Sequence, residues 1–334
     1  MQVRLVMSLA WLAVLHVAVI GAEFVAPYDA AEQNRDIPFA PPVRVHFADG
    51  HGWSYWRPFV CLWVARSDVS SGYVEDCSRR FPLRLFTSGA RYKFAGIETR
   101  RHLFGVDKPG VIDLLGTDQY GRDQLSRFLH GGQVSLLAGV LACVISLGAG
   151  LLLGITAGFY GGWIDETIMS VSQLFLGLPW LYLLFAVRAF LPLHLGPFAA
   201  FLLIVTLIGF LGWARPALLI RGVVLSARER GYVIAARGFG ASDLYILRRH
   251  VLPQTMGVAT TQASILIPKY ILAEVTLSFL GLGVNEPAAS WGNMLSALLQ
   301  YHVLISYWWM FLPVLALVPT FLAYLTLSNG NQTE

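Results

Sequence analysis

Six apolar runs, at about 5–26, 133–157, 164–187, 197–220, 257–283 and 305–327, constrain this chain more than any other feature. Each reaches the roughly 20 residues that a helix needs to cross the hydrocarbon core of a bilayer. Only 13% of the 334 residues are charged, against about 25% in soluble domains. The expected fold is therefore an all-α membrane protein with six transmembrane helices. The first run follows a single Arg4, and the small Ala22 within it could end a cleaved leader, which is the alternative there. A retained first helix over 1–26 is the reading carried forward. Gly150, Gly154 and Gly158 recur at every fourth position of the second run. That register puts them on one helical face, where a second helix can approach closely without any hydrophobic drive from lipid.

Between the first two runs lies a polar excursion, residues 27–130, with 14 basic and 12 acidic residues and hence almost no net charge. No stripe of basic side chains emerges, so nucleic acid is not an expected partner. Pro38, Pro41 and Pro42 make its start extended. The stretch from Trp53 to Trp63 is aromatic and roughly alternating, the pattern of a strand or an interfacial segment. A polar region this long is expected to fold as a small subdomain rather than a loose loop.

Orientation follows from the bias of Lys and Arg in the short loops. Loop 226–256 carries Arg228, Arg230, Arg237, Arg248 and Arg249, whereas 281–306 carries none and 188–196 only Arg188. The basic loop is thus assigned to the cytoplasm. Counting spans back puts residues 27–130 outside, and six spans put both termini, including the tail 328–334, inside. Cys61 and Cys77 then share a loop in an oxidising compartment and are expected to form a disulfide, with two buried free thiols as the alternative. Cys143 lies in an apolar run and reads as packing.

The basic loop contains RERGYVIAARGFGASDLYILRRHVLP, residues 228–253. Apolar spacing through Tyr232, Ile234 and Ala235, then through Leu244, Ile246 and Leu247, predicts two short helices. They break at Gly238-Phe239-Gly240, Ser242 is placed to cap the second, and Pro253 is expected to end it. The segment resembles the coupling loop of ABC-importer permeases. Ala235-Ala236, Gly240 and Leu252-Pro253 match that pattern at its spacing, while Ile234 stands where a Glu is usual and His250 where an Ile is usual. The wording around Ala235, Ala236, Arg237, Gly240, Ala241 and Ser242, with His250, Leu252 and Pro253, is similar to the oligopeptide/dipeptide importers in particular. LGTDQYGRDQLSRFLHGG (115–132), Glu274 to Gly283 and Ser290-Trp291-Gly292-Asn293-Met294 resemble further motifs of the same family.

That resemblance implies a type I ABC importer permease fold with an extracytoplasmic insert between the first two helices, set in a bacterial inner membrane. It implies a homologous permease subunit, two cytoplasmic ATPase subunits that bind ATP and Mg²⁺, and an extracytoplasmic solute-binding protein. It assigns docking of an ATPase to the 232–250 loop, beginning at Tyr232. No cofactor, metal or catalytic residue is expected in this chain itself. Lys93, Lys108 and Lys269 are followed by Phe94, Pro109 and Tyr270, so no phosphate-binding Gly-Lys-Ser/Thr occurs. No Gly-x-Ser-x-Gly elbow or His-Glu-x-x-His zinc motif occurs either.

Lys269 and Glu274 lie inside the fifth run, and intramembrane ionisable groups carry a functional hypothesis by default. They are five residues apart, about 140° around a helix, which is poor for a mutual ion pair. Glu274 is read as a polar or gating contact within the bundle, together with Ser278. Trp291 is read as an interfacial anchor or a contact for a docked binding protein. The Gly-Asp-Gly-x-Arg-Asp ending associated with these subunits is missing after Ser328, and the outer insert is longer than usual. Di- and oligopeptides are the expected cargo, with nickel chelates or other solutes as the alternative. An ion-coupled secondary carrier is the rival from another class, although no inverted repeat supports it.

Overall fold

A computed structural model describes residues 2–49, 52–53, 58–65, 72–94, 97–192 and 195–330. Helix α1 (Gln2–Ile20) and the short α2 (Ala22–Val25) come first. Three antiparallel strand pairs follow: β1 (Ala48–Asp49) with β2 (Gly52–Trp53), β3 (Phe59–Ala65) with β4 (Tyr73–Pro82), and β5 (Arg84–Phe94) with β6 (Ile97–Gly105). The long α3 (Gln124–Tyr160) leads into α4 (Gly162–Gly177), α5 (Trp180–Ala189), α6 (Pro197–Leu211) and α7 (Ala214–Arg228). Next come α8 (Gly231–Gly238), α9 (Asp243–Ile246), a π turn (Leu247–Val251) and α10 (Leu252–Phe279). The chain closes with α11 (Trp291–Ser296), α12 (Tyr301–Ser306) and α13 (Leu312–Gly330).

The chain is mostly helical, but among the described residues its strands all fall between 48 and 105, so the all-α expectation fails for the region after the first run. Alternating aromatic and β-branched residues, as in Phe59-Val60-Cys61-Leu62-Trp63-Val64, suit a pleated, half-buried strand. Residues 54–57 of the stretch expected as a strand lie outside the described residues.

Among the described residues, three helical stretches, Val3–Ile20, Gln124–Tyr160 and Trp308–Asn329, are long and apolar enough to cross a membrane. The number rises to five if α4 with α5, bent by 90°, and α6 with α7, bent by 42°, each count as one span. Leu178-Pro179 accounts for the first bend: proline lacks the donor that a continuous helix requires. α10 is not among these spans, because it mixes Thr, Ser and Gln with Lys269 and Glu274.

Two compact units are present. The first comprises residues 1–12, 136–277 and 319–334. Here the Gly150/Gly154/Gly158 face of α3 lies against α7: a Cβ on these glycines would stand 2.6 Å from Pro216 Cβ, 2.6 Å from the Ala217 carbonyl and 2.8 Å from Val224 Cβ. Bulkier residues would hold the helices apart. α7 is fixed on its other side by α4, where Arg221 grips both oxygens of Asp165 (Nη2 to Oδ2, 2.5 Å) and Phe175 packs on Trp213. Tyr270 of α10 exchanges a hydrogen bond with Ser146 of α3 at 2.8 Å.

The second unit comprises residues 13–135 and 278–318. Its hairpins close over Val43, Val60, Phe81 and Ile112, all buried. A disulfide joins Cys61 in β3 to Cys77 in β4 across a Cα separation of 4.8 Å. The Tyr28 hydroxyl accepts the Ile112 backbone N–H at 2.8 Å.

Candidate functional site

The polar segment after α7 is built as a stiff elbow. Ser242 caps α9 by accepting the Tyr245 N–H at 3.4 Å, and Asp243 occupies the first turn. Gly240 has φ +81° and open space where a Cβ would sit, so the glycine is required by backbone conformation and not by close approach. Pro253 does not end the second helix. The chain runs from α9 through the π turn directly into α10, with the Leu252 N–H donating to Leu247 O. The wider turn accommodates a proline that offers no N–H and would crowd the preceding carbonyl.

One face of this elbow is anchored. Val233, Ile246 and Val251 are buried together with Phe159 from α3 and Ile220 and Val224 from α7. Ala236 and Ala241 turn toward that cluster, while Ala235 stays exposed. Arg237 lies over the Phe159 ring at 5.4 Å and reaches Asp243 at 3.7 Å. Arg228 donates to the Gly158 carbonyl at 3.1 Å. His250 is held between Tyr232 and Tyr245, at ring separations of 5.5 and 5.8 Å, and the Tyr232 hydroxyl is engaged by Gln254.

The opposite face is apolar and uncovered. Phe239 is 92% exposed, and Tyr232, Ile234, Leu244 and Tyr245 accompany it. Leu252 and Pro253, at the start of α10, are also exposed. Five large apolar side chains of this segment are thus exposed on the chain by itself.

In the second unit, two motifs that are far apart in sequence fold onto each other. Asp118 accepts the Arg122 side chain at 2.6 Å, and Arg122 and Arg127 both pair with Glu286, Arg127 at 2.8 Å. Burial pushes the Glu286 carboxyl up, but hydrogen bonding from Arg122 and the charges of Arg127 and Arg122 outweigh it and hold the group below its ordinary range. Asp123 caps α3 by accepting the Ser126 N–H at 2.8 Å, yet burial lifts its pKa to about 6.

Trp291 is neither an interfacial anchor nor a docking contact within this unit, because it is fully buried. Its ring stacks on Phe128 at 5.4 Å, and its Nε1–H donates to the Phe128 carbonyl at 2.9 Å. A reciprocal capping box between Ser290 and Asn293 holds the turn that presents it. Glu286, the centre of the ion cluster, was invisible to sequence reasoning: its arginine partners lie more than 150 positions away.

Inside the helices, Glu274 is buried in α10 and Lys269 holds its ammonium over the Trp180 ring at 4.3 Å. Ser278 is buried at the end of α10, where its Oγ accepts the Val284 N–H at 3.1 Å. Glu274 and Ser278 fall in different units.

The chain belongs to the family of binding-protein-dependent transport system inner membrane components, whose model matches residues 150–330. With its several apolar helices, it is a multi-pass inner membrane protein. Among individual proteins it is similar to the dipeptide transport system permease protein DppC of Bacillus subtilis, with 36% identity over 225 residues covering 67% of this chain and 68% of that one. A putative peptide permease protein of Brucella suis is 36% identical over 236 residues, covering 67% of this chain and 76% of its own length.

Proposed function

We propose that this chain is a permease subunit of an ATP-driven importer for di- or oligopeptides, in which the 232–250 elbow takes up the motion of a cytoplasmic ATPase. The observation that carries the reading is the exposed ridge around Phe239, mounted on a buried cluster shared with α3 and α7. Such a ridge suits a groove on a partner, and its rigid seat lets displacement reach the helices. The peptide cargo rests on the relatives, which are named as dipeptide and peptide permeases.

In this reading α10 and the two bent pairs each serve as one span. Together with α1, α3 and α13 they make the six of a type I permease. Both termini face the cytoplasm, and residues 27–130 face outward to meet a solute-binding protein. A homologous permease completes the pathway, and two ATPase subunits bind the ATP and Mg²⁺. Glu274 and Ser278 serve as polar contacts along or beside the pathway.

The test is Phe239→Asp alongside Gly240→Asp in the reconstituted complex. Phe239 is exposed, so its replacement leaves the fold intact, whereas Gly240→Asp forces a β-carbon into a positive-φ position. Both variants should insert normally and lose stimulation of ATP hydrolysis by loaded binding protein, and Gly231→Ala should remain close to wild type. Full transport by both aspartate variants would refute the docking role.

A further inference from the structure

The densest group of metal-ligating side chains among the described residues stands well apart from the elbow, on the β3–β4 hairpin. His46 bridges to Phe59 at the start of β3, and its ring stacks on Phe59 at 5.3 Å. That stacking aims the imidazole Nε2 at Glu75 Oε1, 2.7 Å away. Glu75 and Cys77 are two residues apart in β4 and therefore share a face of the strand. Cys61 lies at the register shift between Val60 and Leu62, directly within reach of Cys77.

One imidazole nitrogen, one carboxylate oxygen and two sulfurs thus lie within 4.8 Å of one another. Four ligands of this kind are what a structural zinc site takes, and tetrahedral bonds of about 2.0–2.3 Å place such ligand atoms roughly 3.3–3.8 Å apart. The nitrogen and oxygen need only small movements to reach those spacings. The sulfurs must separate, which requires the disulfide to open. Cys61 is buried and Cys77 exposed, so the cluster has an inner wall and an open side for entry.

We propose that His46, Cys61, Glu75 and Cys77 form a redox-gated zinc site, closed to metal while Cys61 and Cys77 are bonded and open once a thiol reductant has cleaved that bond. In the opening step a dithiol supplies two electrons and two protons. The S–S bond breaks, both cysteine sulfurs become thiols, and the dithiol leaves as its cyclic disulfide. Zinc then displaces the two thiol protons and binds both thiolates, the His46 nitrogen and the Glu75 carboxylate. The hairpin is held in either state, by a covalent bond or by the ion. A borderline-soft cation is selected by the two thiolates, and Mg²⁺ or Ca²⁺ is disfavoured by them.

The experiment uses the full-length permease in detergent with Cys143→Ser, leaving Cys61 and Cys77 as its only thiols. Half is reduced with a phosphine, which is oxidised to its oxide and then removed, and half is kept oxidised. Titration with Co²⁺ should give the reduced protein a thiolate charge-transfer band and tetrahedral d–d bands, saturating at one equivalent and erased by one equivalent of Zn²⁺. The oxidised protein should give neither. His46→Ala and Glu75→Gln should each weaken zinc binding at least tenfold. Because reduction alone removes a covalent restraint on the hairpin, a second measurement counts alkylated cysteines by mass spectrometry. One equivalent of Zn²⁺ should protect both thiols in the reduced protein and leave them open in the His46→Ala variant. Reduced protein that binds cobalt only without the charge-transfer band, unprotected thiols, or His46→Ala matching the parent would each overturn the site.

Discussion

Gly154→Ala adds one methyl group where α3 and α7 touch. Its Cβ would stand 2.6 Å from the Ala217 carbonyl, 3.0 Å from Ile220 Cβ and 3.1 Å from Ile220 Cγ2. Van der Waals contact begins near about 3.5 Å, so the helices must part by roughly 0.5–1 Å, and a gap of that size forfeits a quarter to a half of each facing dispersion well. Overpacking of this kind costs about 1–3 kcal/mol. The better helix propensity of alanine returns up to about 1 kcal/mol, leaving a net loss of up to about 2 kcal/mol. Gly148 lies on the same helix with no heavy atom within 4 Å of its added Cβ. Gly148→Ala should therefore be neutral, or stabilising by up to about 1 kcal/mol from propensity alone. Cys143 is free and buried, so a thiol-reactive dye reports unfolding as the purified protein is heated. At about 2–4 °C per kcal/mol, Gly154→Ala should lower the midpoint by up to roughly 8 °C and leave it below that of Gly148→Ala. If the two variants melt together, the glycine face is not a packing seam and the account of α3 against α7 fails.

Glu286→Gln should destabilise the second unit by about 1–3 kcal/mol, the usual range for buried hydrogen bonds to charged groups, with the lower end favoured because the Glu286 side chain is 44% exposed. Its carboxyl is held below the ordinary 4.5, so the pairing is present in full above that pH and is lost as pH falls through the depressed value. Thermal midpoints followed from neutral into acid should fall less steeply for Glu286→Gln than for wild type, and equal slopes would remove the pairing from the stability account. Trp291→Phe keeps the stack on Phe128 but removes the indole donor to the Phe128 carbonyl, a loss of about 0.5–1.5 kcal/mol for that bond alone. Trp308→Phe, at a 62% exposed position, should change the midpoint little. The reverse ranking would contradict the buried position of Trp291.

What the sequence made legible is what depends on local pattern. Apolar runs of spanning length, the Ser242 cap and the glycine register each follow from residues within a few turns of one another, and each reappears as α3, α9 and the α3–α7 seam. Pro253 was misread because a proline ordinarily ends a helix, and sequence spacing does not reveal that a π turn will absorb it. The two strong bends were equally hidden, since an apolar run reads the same whether its helix is straight or broken. Trp291 reads as an anchor or a docking contact in the sequence because interface-seeking aromatic residues and buried ones share the same composition. Its partners Phe128 and Ser135 come from the far side of the sequence. The His46–Glu75 contact likewise depends on strand register, which alternation alone leaves undetermined.

Under the proposed docking, the elbow's geometry offers a push on a small surface patch a route to the helices. Val233, Ile246 and Val251 of the same segment are buried with Phe159, Ile220 and Val224 in one apolar cluster. A close-packed apolar cluster resists compression, so a displacement imposed at Phe239 is carried into α3 and α7 instead of being absorbed. The glycine seam binds those two helices along about two turns, and Arg228 ties the end of α7 to the Gly158 carbonyl. They are therefore expected to move as one piece. α10 receives the same push by a different route, because the π turn continues the backbone from α9 without a loop to bend. A flexible connection at either place would uncouple the ridge from the bundle.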